Sequence, residues 1–144
     1  MRSACSAKCA EMPVLHVTTN APLEASQRAT LGRALTQLTA QVLRKQPEVT
    51  VVAFDVRPHD AWYIGGELTA APGALLEIEI TEGTNLAQEK ALFIERAYTL
   101  LARHLGGGRA IADASYVVVR ENPAADWGYR GITQARRREL RGQR

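Results

Sequence analysis

The sequence predicts an α/β (α+β) fold of two tandem β-α-β units, joined into a four-stranded sheet with two helices on one face. Three observations carry that prediction. The stretch Pro58-His59-Asp60-Ala61-Trp62 recurs sixty-five positions later as Pro123-Ala124-Ala125-Asp126-Trp127, and Gly66 recurs as Gly131. Each copy follows a β-branched run, residues 49–56 in the first and 116–119 in the second. Upstream of the first run, Leu31, Ala34, Leu35, Leu38 and Val42 recur at helical spacing. A repeat of this length sets the architecture before any shorter motif is weighed.

Residues 13–19 are β-prone and open the first unit, and residues 20–24 supply a proline-containing connection to the first helix. Gln46-Pro47 ends that helix, because a proline disfavours αR geometry in the residue before it. A strand over residues 49–57 completes the unit. The second unit repeats the order, with a strand over 75–80, the loop Glu82-Gly83-Thr84-Asn85, a helix over about 86–105, Gly106-Gly107-Gly108, and a strand over 115–120. Asn85 is the expected N-cap of the second helix. Each unit joins parallel strands by a right-handed crossover, so its helix covers one face of the sheet. The other face is left bare, although the strand over 49–56 carries apolar residues on both sides. Burial against other subunits resolves this, so an oligomer with inward-facing sheets is expected. Trp62-Tyr63 and Trp127-Gly128-Tyr129 are aromatic enough to be pieces of its interface.

At 144 residues with 46% hydrophobic content, the chain has the size and apolar share of one compact domain. It has no run of about 18 apolar residues and no apolar signal region near Met1, so a soluble, cytoplasmic protein is expected. Cys5 and Cys9 both lie before the first strand, which leaves no disulfide framework and no four-ligand zinc set for the core. The net charge of +3 is unevenly spread: the last fifteen residues carry six arginines against Glu139, so the remainder sums to −2. That is a solvated basic tail rather than the broad basic face of a nucleic-acid binder, and neither nucleic acid nor membrane is expected as a partner. His16, His59 and His104 lack ligand spacing, and the triple glycine follows a helix and lacks the Lys-Ser or Lys-Thr of a phosphate loop.

Element order and short motifs together resemble the tautomerase superfamily over residues 13–134. Trp62-Tyr63-Ile64-Gly65-Gly66-Glu67-Leu68 closely resembles the aromatic-x-Ile-Gly-Gly-Glu-Leu hairpin that ends a 4-oxalocrotonate tautomerase (4-OT) subunit, where the aromatic residue lines the active site. Asn20-Ala21-Pro22, Lys45 and Tyr116 are placed like residues of the macrophage migration inhibitory factor (MIF) branch, also a fused pair of units. Glu121-Asn122 and Ala125-Asp126-Trp127 are similar to the C-terminal segment of malonate semialdehyde decarboxylase. The resemblance implies a homotrimer and a catalytic N-terminal proline. Met12-Pro13 fits, and it divides the chain into a leader over 1–12, a single domain over 13–134 with repeats 13–68 and 75–134, and a basic tail over 135–144. The leader is either a misassigned start, removed so that Pro13 is free, or a retained segment.

A free proline nitrogen is a secondary amine, whereas inside a chain it is an amide that accepts no proton. An ordinary α-amino group titrates at about 7.7 to 8.0, and burial or a nearby cation favours its neutral, basic form. Pro13 is therefore the candidate general base. A carboxylated substrate calls for a cation and polar donors beside it. Lys45 resembles the pocket lysine of the MIF branch, although a lysine ending a helix also complements the helix dipole. Tyr116 resembles a pocket tyrosine that reaches in from the neighbouring subunit, Trp62 a pocket wall, and Arg130, with Arg57 and Arg120, a substitute cation or a surface charge. The paired arginines of the dehalogenase and decarboxylase branches are replaced by Thr81-Glu82-Gly83-Thr84, and the arginine positions of 4-OT fall on Leu23 or Thr84 and on Val51. A dehalogenase is thus disfavoured. The resemblance implies a cofactor-independent, metal-free keto-enol tautomerase, an isomerase acting on a small 2-hydroxydienoate or 2-keto acid. The alternatives are a decarboxylase or hydratase of a 3-carbon acid, and a non-catalytic trimeric binding module if the leader is retained.

Overall fold

The computed structural model describes residues 11–142. Four strands, β1 (Val14–Thr19), β2 (Val51–Val56), β5 (Ala74–Thr81) and β6 (Tyr116–Asn122), form one sheet in the order β2-β1-β5-β6. The outer pairs are parallel, with Val14 opposite Val51 and Leu75 opposite Tyr116, as a crossover helix in each unit requires. The central pair is antiparallel, with Val14 opposite Glu79 and Thr18 opposite Leu75. The two units are thus related by a local twofold between β1 and β5.

Helices α1 (Ala25–Leu43) and α2 (Ala87–Leu105) cover one face. Leu31, Leu35, Leu38 and Val42 of α1 and Phe93, Ala97, Leu101 and Leu105 of α2 stand three or four residues apart, so each helix presents one apolar stripe. These stripes meet Leu15 and Val17 of β1 and Leu76, Ile78 and Ile80 of β5 in a single core. Burying each of the larger side chains among them contributes about 1.5–3 kcal/mol. α1 ends earlier than Pro47 demands, at Arg44 in the left-handed region (φ 59°), and Pro47 instead opens a short 3-10 turn.

Asn85 does not cap α2. The N-cap is Leu86, whose N–H donates to Glu89 Oε1 at 2.8 Å, while the Asn85 amide donates to Leu43 O at 3.0 Å and satisfies a carbonyl left open at the end of α1. Hydrogen bonds from Arg44 hold the Glu89 carboxyl down at about 2.

The repeat extends to backbone detail. The N–H of Ala61 donates to Pro58 O at 3.0 Å and that of Asp126 to Pro123 O at 2.9 Å; Thr69 donates to Trp62 O at 3.2 Å and Gln134 to Trp127 O at 2.9 Å. Hairpins β3 (Tyr63–Ile64) with β4 (Glu67–Leu68) and β7 (Gly128–Tyr129) with β8 (Ile132–Thr133) follow. Both turns place two residues at positive φ, Gly65 and Gly66 in the first, Arg130 and Gly131 in the second, as two-residue hairpin turns of the primed kind require.

The segment expected to be a solvated tail is a helix, α3 (Gln134–Gly142). Gln134 is buried, the Arg137 guanidinium stacks 3.5 Å from the Tyr129 ring centroid and donates to Tyr129 O, and Arg138 reaches Glu11. These anchors outweigh the repulsion among neighbouring arginines.

The sheet face away from the helices carries Val14, Val51, Ala53, Leu75, Tyr116 and Val118, but also His16, Asp55, Glu77, Glu79 and Arg120, with Arg120 paired to Glu77 at 3.0 Å. It is therefore amphipathic rather than purely apolar. His59 is exposed in a 3-10 turn, and His104 lies in the last turn of α2. Among the described residues no helix is long and apolar enough to cross a membrane, and no three His, Cys, Asp or Glu side chains gather as metal ligands. Cys5 and Cys9 lie outside the described residues.

Candidate active site

The sheet has two chemically distinct ends. At the first, Pro13 is buried at the head of β1, and its carbonyl accepts the Val51 N–H at 3.2 Å. Lys45, only 5% exposed, follows the left-handed Arg44 that turns the chain at the end of α1. Its Nζ donates to Thr84 Oγ1 at 2.8 Å, and that hydroxyl donates in turn to Thr81 O at 2.6 Å. The β5–α2 loop here holds the lysine.

Burial pushes the Lys45 ammonium from its ordinary 10.5 down to about 8; Glu11 and Glu89 oppose the fall, and Arg44 and Arg138 add to it. Lys45 therefore remains mostly cationic at neutral pH. Beyond it, Lys90 pairs with Glu121, and that bond together with the Gly83 N–H lowers the Glu121 carboxyl. Trp127 closes the same end, donating through Nε1 to Thr81 Oγ1 at 3.0 Å. Arg130 is exposed at the tip of the second hairpin.

At the second end a cleft of ≈ 480 Å³ is lined by Thr18, Arg57, Trp62, Tyr63, Leu75 and Tyr116 among others. Strand register assembles it: Thr18 lies opposite Leu75, and Leu75 opposite Tyr116. Tyr116 is 61% exposed and points no hydrogen bond at its own chain among the described residues. Arg57 pairs with Asp55 at 2.9 Å in the open, a contact that contributes little to stability.

Trp62 packs against Gly73, where an added Cβ would stand 2.2 Å from Trp62 Nε1. Gly73 is itself fixed, its N–H donating to Asn20 Oδ1 at 2.8 Å and its carbonyl accepting Thr19 Oγ1 at 2.7 Å. Asn20 is thus a structural clamp beneath the cleft. Gly73→Ala is expected to displace the indole and destabilise the protein by about 1–3 kcal/mol, read by denaturant unfolding and a shifted tryptophan emission. Unchanged stability and emission would show that Trp62 is not seated by this contact.

Within one chain the structure places Pro13 and Lys45 at one end of the sheet and Trp62 with Tyr116 in a cleft at the other, keeping the pairs apart. They stand at opposite ends of β1, whose six residues span roughly 20 Å. Sequence reasoning missed Glu11, Thr84 and Arg138 at the first end. Thr84 was visible only as the replacement of an arginine, and Arg138 looked like one of several tail charges.

The model of a family described as Tautomerase enzyme matches residues 13–71, beginning at Pro13 and ending just past the first hairpin. Among solved structures, a macrophage migration inhibitory factor-like protein from Entamoeba histolytica superposes with a TM-score of 0.69 at 17% identity, covering 85% of this chain and 99% of that one. A wild-type fused 4-OT, an asymmetric trimer, gives a TM-score of 0.74 at 23% identity over 88% of this chain and 98% of that one. A member of the cis-3-chloroacrylic acid dehalogenase family gives 0.72 at 20% identity, covering 83% and 82%. No curated protein matches the chain. The family match thus spans the first unit, and these structures share their fold with this chain along most of its length.

Proposed function

We propose that this protein is a cofactor-independent keto-enol tautomerase of small carboxylated substrates, with Pro13 as general base when it is the N-terminal residue. The observation that carries the reading is the burial of Pro13 at the same end of the sheet as Lys45, a desolvated ammonium held at about 8. Lys45 binds the substrate carboxylate, and its charge keeps the neighbouring proline nitrogen unprotonated and basic. Pro13 then takes the proton from the enol hydroxyl and returns one to carbon, so the reaction is a net proton transfer with no external reagent. With residue 12 attached the same nitrogen is an amide, and the chain is a binding module only.

Tyr116 and Trp62 join this site from a neighbouring subunit of a homotrimer. Their distance from Pro13 within one chain, the exposure of Tyr116 and the trimeric state of the fused 4-OT structure support that arrangement. Tyr116 then places its hydroxyl on the enol oxygen, and Arg130 stays at the rim. Ketonisation of 2-hydroxymuconate or phenylenolpyruvate tests the activity. Sedimentation at micromolar concentration is expected to give the mass of three chains, and the mass of one chain would remove the shared site.

A further inference from the structure

Glu11 is an unusual residue to find buried. It lies two positions before Pro13, is 3% exposed, and is met by a residue 127 positions away: Arg138 of α3 donates to its Oε1 through Nε at 3.1 Å and Nη2 at 2.8 Å. Its second oxygen, Oε2, is buried with no hydrogen-bond partner among the described residues. A half-satisfied buried carboxylate destabilises a fold unless strong positive charge surrounds it. Such charge is present: Arg138 is bonded to Glu11 directly, and buried Lys45, beyond ion-pair reach of Glu11, acts on both through space. Lys45 has three N–H donors, of which Thr84 takes one.

We propose that Lys45 and Arg138 form a binding site for the carboxylate of a small organic acid, and that Glu11 occupies this site as an internal stand-in for the ligand. A planar guanidinium that already holds one carboxylate oxygen, with the second oxygen left open and a buried ammonium in electrostatic range, suits a small carboxylate. The position is right as well: two residues span at most about 7 Å, so the Glu11 backbone lies within one small-acid length of the Pro13 nitrogen. A segment that keeps Glu11 in place therefore blocks the anion site as well as the proline nitrogen. Loss of that segment frees both. This assignment rests on the tautomerase reading for the use of the site, but the site itself is testable without turnover.

The test uses the full chain and acetate, a carboxylate that is no tautomerase substrate. In Glu11→Ala the two cations face an empty position. Acetate at ten times its dissociation constant should then raise Tm by about 3–6 °C over chloride of equal ionic strength. Wild type should show no such difference, and Glu11→Ala combined with Arg138→Ala should lose it. If Glu11→Ala does not fold in chloride, acetate should restore its near-ultraviolet circular dichroism. Absence of any acetate effect in Glu11→Ala, an equal effect in wild type, or an effect that survives Arg138→Ala overturns the proposal. Because the readout is stability, that failure leaves the role of Pro13 to be judged separately by its kinetics.

Discussion

A chain beginning at Pro13 is expected to ketonise phenylenolpyruvate or 2-hydroxymuconate about 10² to 10⁴ times faster than its Pro13→Ala variant, the usual contribution of a positioned acid-base group. Alanine retains a primary amine, so residual activity is expected. The stricter comparison is the chain that retains residues 1–12, in which the Pro13 nitrogen is an amide and cannot accept a proton at all. There the proline term should vanish, and Glu11 should in addition hold the position of the substrate carboxylate. Equal turnover by the long and short chains would sink the proline mechanism and pass the chemistry to Lys45 or Tyr116. Mass spectrometry of the native protein decides which chain exists.

The second large effect is a trade between stability and binding at Lys45. Burial holds this ammonium at about 8 in the folded protein against 10.5 when exposed. Between those values the unfolded chain binds more protons than the folded one, so stability should rise as pH climbs from 8 to 10.5. Below about 8 the full unfavourable contribution remains, on the order of 3 kcal/mol. Lys45→Met removes it while losing the hydrogen bond to Thr84, worth about 1 kcal/mol. The variant should therefore be more stable than wild type at pH 7, by about 2 kcal/mol in urea unfolding, and should lose the rise between pH 8 and 10.5. Its KM for a carboxylated substrate should increase at least tenfold, as expected for a lost charge-assisted contact of about 1.5–3 kcal/mol. A variant that is less stable at neutral pH, with the alkaline rise intact, would show that Lys45 is a comfortable helix-end charge instead of a desolvated one.

Both effects depend on side chains whose types were legible and whose neighbours were not. The sixty-five-residue repeat determined the two β-α-β units, and the structure carries it down to paired turn hydrogen bonds at Pro58 and Pro123. Helical spacing from Leu31 to Val42 determined which face of α1 is buried, because periodicity is a local property that any window of sequence displays. The hairpin around Gly65-Gly66 was expected from its resemblance to a known motif, and the positive φ at both glycines is the physical reason such a turn carries them.

Strand order was not readable. Nothing local states that β1 and β5 pair antiparallel at the centre, since that choice comes from the joint burial of Leu15, Val17, Leu76 and Ile78 beneath two helices. Nor does spacing place Asn85 on the end of α1, where an open carbonyl of a distant helix competes successfully for its amide. The same holds for Arg138. In sequence it is one arginine among six in a basic terminus; in the fold, α3 is pinned by Gln134 and Tyr129 and brings that guanidinium onto Glu11, within electrostatic range of Lys45. The sequence by itself determined the units, the buried face of the first helix and the candidate proline. Only the tertiary structure decided which charges meet, because electrostatic interactions depend on distances that chain order does not encode.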